Sequence, residues 1–161
     1  MRLVVVTLSL AAVMVSAAVT SGALAQRGGA ASENPWSPEH VDGLPFNVRQ
    51  HVEGHARDCG NRAAAAHYFS VSIEASGRRF YSQHFEEFYC SRPSAVCRPE
   101  GCLHEVFLDQ GRRQYQVFSI YARDITLTNE GGVAGIEVVT DAGMRRLTWN
   151  GRRFIVDDRR R

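Results

Sequence analysis

Four cysteines, Cys59, Cys90, Cys97 and Cys102, stand behind an apolar leader, and that combination constrains the chain more than anything else in it. Residues 1–25 follow the three-part pattern of a secretory signal: Arg2, an apolar stretch from Leu3 to Val19, and small residues ending in Ala23-Leu24-Ala25. As an uncleaved anchor the apolar stretch would reach only about 25 Å, just short of a hydrocarbon core. A periplasmic or secreted location is therefore expected, with an uncleaved leader as the sole expected contact with a membrane. In an oxidising compartment an even number of cysteines is a disulfide framework first and a metal site second. Four cysteines allow three pairings. Cys97 and Cys102 enclose Arg98-Pro99-Glu100-Gly101, whose Pro and Gly form turns, so a small ring is expected there, leaving Cys59 with Cys90. Zinc is the rival reading of Cys97-x4-Cys102, although the other two cysteines form no matching second pair.

Without the leader, the 161 residues reduce to about 136, enough for one core and too few for two. The division expected is a signal peptide over 1–25, a flexible Gly-, Ser- and Pro-rich segment over 26–44, a single domain over 45–158 and a frayed basic tail over 159–161. Trp36, the one large apolar residue of the second segment, is expected to dock on the domain. All 19 basic residues are Arg, which removes Schiff bases, the phosphate-loop Lys and Ser-x-x-Lys acylation. Against 17 acidic residues the net charge is only +2, so charge gives no case for nucleic acid.

Val48, Val52 and His55 or Ala56 recur at helical spacing behind Asn47, a candidate N-cap, and Gly60 suits the helix end. The remainder has the period and turn residues of strands: Tyr68 to Ala75, Leu103 to Leu108, Tyr115 to Tyr121, Ile125 to Thr128, Gly135 to Thr140 and Arg145 to Trp149. Arg79 to Cys90 carries aromatics at helical spacing, yet its place after the Ser76-Gly77 turn favours a return strand. Asn150-Gly151 between β-formers predicts a type I′ hairpin. The fold class expected is α+β: an N-terminal helix packed on one twisted antiparallel sheet of five to seven strands, stapled by disulfides.

These pieces, Cys59, Ser76-Gly77-Arg78 with Cys90 downstream, the Cys97-x4-Cys102 turn and the terminal Trp149-Asn150-Gly151-Arg152-Arg153-Phe154 hairpin, span about Leu44 to Val156. In them the chain resembles small exported proteins of Gram-negative bacteria. The resemblance implies no activity. Many members carry a calcium-loop-like Asp-x-Asn-Gly-Asp-Gly in the first hairpin, whereas this chain has Ser72-Ile73-Glu74-Ala75-Ser76-Gly77, so calcium is not carried over.

Three constellations bear on chemistry. His51 and His55 sit at i and i+4, which lets a zinc ion take two ligands from one helical turn. Val52 occupies the place of the metalloprotease Glu, no sequence feature fixes a third ligand from His67, His84 or His104, and solvated helix histidines with no cofactor are the expectation. Glu86 and Glu87 are adjacent and diverge, so they form no carboxylate pair with each other. Arginine doublets follow glycine turns: Arg78 and Arg79, Arg112 and Arg113, Arg145 and Arg146, Arg152 and Arg153. In an up-and-down sheet they should split between its ends and discourage edge pairing; converging, they would hold phosphate or carboxylate groups of an envelope partner.

The function expected is a non-enzymatic binding or interaction module of the cell envelope whose partner is an envelope component or protein. The alternative is a small envelope hydrolase using a metal or a carboxylate pair. A cleft gathering two or three of His51, Glu53, His55, His84, His104, Glu86 and Glu87 favours the alternative; scattered positions favour the module.

Overall fold

A computed structural model describes residues 35–156; the expected signal peptide and the basic tail lie outside the described residues. A short helix α1 (Glu39–Asp42) precedes helix α2 (Phe46–Cys59), whose Val48, Val52, Ala56 and Cys59 form one buried stripe. Helix α2 begins one residue earlier than Asn47, directly after Pro45, so Asn47 lies in the first turn and caps nothing. It ends at Gly60, whose left-handed φ of 77° lets its N–H reach back to Ala56 and Arg57.

The described residues then run through nine strands: β1 (Ser70–Ala75), β2 (Arg78–His84), β3 (Cys97–Arg98), β4 (Gly101–Asp109), β5 (Gln114–Ala122), β6 (Asp124–Glu130), β7 (Val133–Thr140), β8 (Gly143–Trp149) and β9 (Phe154–Val156). Arg79 to Cys90 is strand only in its first half. A 3-10 turn at Phe85–Glu87 ends β2 and swings Phe85 and Phe88 into the core.

All strand pairs are antiparallel, and they form two sheets rather than the single one expected. The first has five strands, β1-β2-β4-β5 with the short β3 also on β4; the second has four, β6-β7-β8-β9. The change of sheet occurs at Arg123, between β5 and β6, where the Arg123 N–H bonds to Val139 O. The first sheet is consequently the middle of three layers. One core packs α2 against Phe69, Leu103 and Phe107; the other packs Phe80, Val106 and Leu108 against Ile125, Ile136, Trp149 and Phe154.

Cys59 is bonded to Cys90 and Cys97 to Cys102, and the described chain has no free thiol. Cys97 and Cys102 are direct cross-strand partners on β3 and β4. The first bridge fixes the end of α2 to the loop after β2. Two bridges are compatible with an oxidising compartment outside the cytosol.

Two sequence expectations need correction. Residues 35–44 do not hang free: Ser37 pairs with Ala65, Val41 is buried under α2, and Trp36 contacts the Tyr89 ring. The final hairpin forms, but through four residues rather than a type I′ pair, since Trp149 faces Phe154. Asn150 Oδ1 accepts from the N–H groups of both Arg152 and Arg153, a side-chain turn that displaces the two-residue alternative.

Candidate metal centre

Alternation along β4 sends consecutive residues to opposite faces of the middle sheet. Leu103, Glu105 and Phe107 face α2; His104, Val106 and Leu108 face the second sheet. Both His104 and Glu105 are buried, and each stands in a cluster of histidines and carboxylates.

On the second-sheet side His104 lies directly across from His84 on β2, their rings in an edge-to-face contact 5.3 Å apart. The 3-10 turn after His84 brings Glu86 back over this pair. Glu86 Oε1 is 3.7 Å from His84 Nδ1 and Glu86 Oε2 is 3.7 Å from His104 Nδ1. Asp124, first residue of β6, places Oδ1 3.9 Å from His84 Nδ1.

The protons of both imidazoles are directed away from this point. His104 Nε2 is 3.2 Å from the carbonyl of Ala122, which can only accept, so Nε2 carries the hydrogen and Nδ1 carries a lone pair. That Nδ1 is buried and has no hydrogen-bond partner. Ser82 Oγ donates to Val71 O and so receives Nε2–H of His84 at 2.9 Å, leaving the His84 Nδ1 lone pair facing the same point. Burial holds His104 below its ordinary pKa despite the opposing Glu86 charge, which favours the neutral, ligating form. Burial resists ionisation of Glu86, yet His84 and His104 outweigh it and hold the carboxyl below its usual range. When both rings are neutral, two imidazole lone pairs and a carboxylate converge on one point; when a ring is protonated there, its N–H takes the place of a cation beside Glu86. A cation is the species that such a set accepts. The cluster borders a cleft of about 400 Å³ lined by Tyr68, Val71, Ser82, His84, Glu86, Glu87 and Asp124 together with β6 residues.

Across the sheet, His51 and His55 of α2 both turn towards Glu105 rather than to solvent. His51 Nε2 is 3.0 Å from Glu105 Oε1, and Gln116 Nε2 donates to that same oxygen at 3.0 Å. Burial opposes ionisation of Glu105, but the two histidines prevail and hold it at about 2, while the hydrogen bond to Glu105 raises His51.

The other candidates divide. Glu53 makes a surface ion pair with Arg49 at 3.8 Å and joins neither cluster, and Glu87 only lines the cleft. Among the arginine doublets, the expected split between ends holds in part. Register places the turns before Arg78, Arg112 and Arg152 at one end, because β2, β5 and β9 all start there, whereas Gly143 opens β8 at the other. Arg79 is ion-paired with Glu74, and the groove beside Arg78 and Arg79 is also lined by Glu74 and Asp109. Arg146 pairs with Glu130 and Glu137. Glu105, Asp124 and Ser82 carry no motif in the sequence; only strand alternation through His104-Glu105 could have flagged the first. Comparison with protein-family models, curated proteins and solved structures gives no match to this chain.

Proposed function

We propose that this protein is an exported domain of the cell envelope, periplasmic or secreted, that binds a divalent d-block metal ion through His84, Glu86 and His104. The resemblance to small exported Gram-negative proteins and the leader support the location; the buried, unpartnered Nδ1 of His104 carries the metal assignment. Calcium and magnesium prefer all-oxygen sets, whereas two imidazoles with one carboxylate suit zinc or a neighbouring transition metal. Asp124, with Oδ1 3.9 Å from His84 Nδ1, is the next carboxylate at the edge of the cluster. The outward N–H bonds to Ala122 O and to Ser82 Oγ are the outer-shell contacts that orient ligating histidines. The ligand of such a domain is the metal rather than an arginine surface; metal binding is common to a binding module and to a hydrolase, and the gathering of His84, Glu86 and His104 beside a cleft keeps the hydrolase in play.

The test is zinc affinity of the untagged protein, measured against a competing chelator, for wild type and His84→Ala. Stoichiometric binding by wild type, weakened at least about 100-fold by the substitution, supports the assignment. Equal affinities contradict it.

The adjoining cleft favours a second reading, a small metal-dependent hydrolase. An open coordination position would let azide perturb the visible spectrum of the Co²⁺-loaded protein; a site closed by Asp124 leaves that spectrum unchanged.

A further inference from the structure

We propose that His51, His55 and Glu105 form a second site for a divalent d-block ion, one that ties α2 to β4. It uses none of the residues of the first site and stands or falls separately.

Two imidazole nitrogens and the two oxygens of one carboxylate lie close to coordination spacing, with one ligand atom of each residue within 4.8 Å of the others. His51 Nε2 is 3.2 Å from His55 Nε2 and 2.9 Å from Glu105 Oε2, and His55 Nε2 is 3.6 Å from Glu105 Oε1. A tetrahedral zinc ion with bonds of about 2.0 to 2.1 Å separates its donors by roughly 3.3 Å.

Proton counting shows that the His51–Glu105 hydrogen bond leaves His55 Nε2 over. An imidazole Nε2 either donates or accepts, never both. If His51 Nε2 gives its proton to Glu105, it has no lone pair to accept from His55, 3.2 Å away. His55 Nε2 is then left with its lone pair against a committed donor, or with its own N–H directed at a carboxylate oxygen 3.6 Å off, beyond hydrogen-bond length. Glu105 Oε2, meanwhile, is buried and makes no well-aligned hydrogen bond, its near neighbour at 2.9 Å being the same His51 Nε2 that is bonded to Oε1. One cation accepts all three lone pairs at once.

The surroundings hold this arrangement in place. His51 packs edge-on to Phe107 and His55 edge-on to Phe85, which restricts both rings, and Gln116 anchors the other oxygen of Glu105. Two ligands come from one turn of α2 and the third from the sheet beneath it, so the ion would act as a staple between layers.

Zinc titration of the disulfide-intact protein against a chromophoric chelator tests this, using His55→Ala and Glu86→Ala, both partly exposed positions. Wild type should bind two equivalents, each single variant one, and the double variant none; zinc should raise the melting temperature of Glu86→Ala but not of the double variant. If His55→Ala binds as much zinc as wild type, or Glu86→Ala binds none, the second site is overturned. If Glu86→Ala binds two equivalents, the first site fails while the second survives.

Discussion

His104 and Glu105, neighbours on β4, point through opposite faces of one sheet, and each is the most deeply buried member of a histidine–carboxylate cluster. The two clusters are back to back because side chains alternate at every residue of a strand. Glu105 draws its partners from α2, whereas the His104 cluster combines the end of β2 in the same sheet with the start of β6 in the second.

The hydroxyl of Ser82 should matter to the metal more than to the fold. Ser82→Ala leaves the His84 Nε2–H without its acceptor and frees the ring to turn, so zinc affinity at the first site should fall about 10- to 100-fold, with the melting temperature little changed. Chelator competition and a thermal melt on the same sample check this. A large loss of stability with unchanged affinity contradicts it.

Gly101 links the fold to the site. It has a φ of 134°, and a Cβ there would lie 1.9 Å from Ala122 O, the carbonyl that fixes the His104 tautomer. Gly101→Ala must displace that carbonyl, at a stability cost above about 2 kcal/mol, and should weaken zinc binding together with it. Gly77, with a φ of 66° and open space around its Cβ position, should cost only about 1 kcal/mol as Ala. Urea unfolding of the two variants separates these outcomes.

The bridges should contribute unequally. Cys59 and Cys90 are 31 residues apart and their bond should stabilise by about 3 to 4 kcal/mol; Cys97 and Cys102, five apart, by about 2 kcal/mol. Urea unfolding of each paired Cys→Ala variant measures the difference, and a free-thiol assay on denatured wild type should find none.

Phe80 fills the space between the two sheets, fully buried against Trp149 and Phe154. Phe80→Ala should cost about 3 to 5 kcal/mol in urea unfolding and open a cavity beside Trp149. Val156→Ala, at a position 56% exposed, should cost under about 0.5 kcal/mol.

Local signals carried much of the fold. Apolar spacing located α2, Gly60 marked its end, and alternation with short turns located most strands. The split into two sheets was hidden because Leu103 to Leu108, in the middle layer, is covered on both faces and reads as one buried run. The corner at Arg123 has neither Gly nor Pro to announce it. In the site, His51 and His55 were visible through their helical spacing, and His84, Glu86 and His104 as residue types. Their convergence depends on the β2–β4 register and on the 3-10 turn at Phe85–Glu87, both set by tertiary packing. Glu105 was missed because a lone Glu among apolar residues has no spacing to recognise.

The central claim is that His84, Glu86 and His104 hold a metal ion. Crystals of the untagged protein grown with zinc and measured at the zinc absorption edge test it most directly. An anomalous peak about 2.0 to 2.2 Å from the Nδ1 atoms of His84 and His104 and from a Glu86 oxygen is the predicted result. Full zinc occupancy elsewhere, with His104 Nδ1 still without a partner, would contradict it.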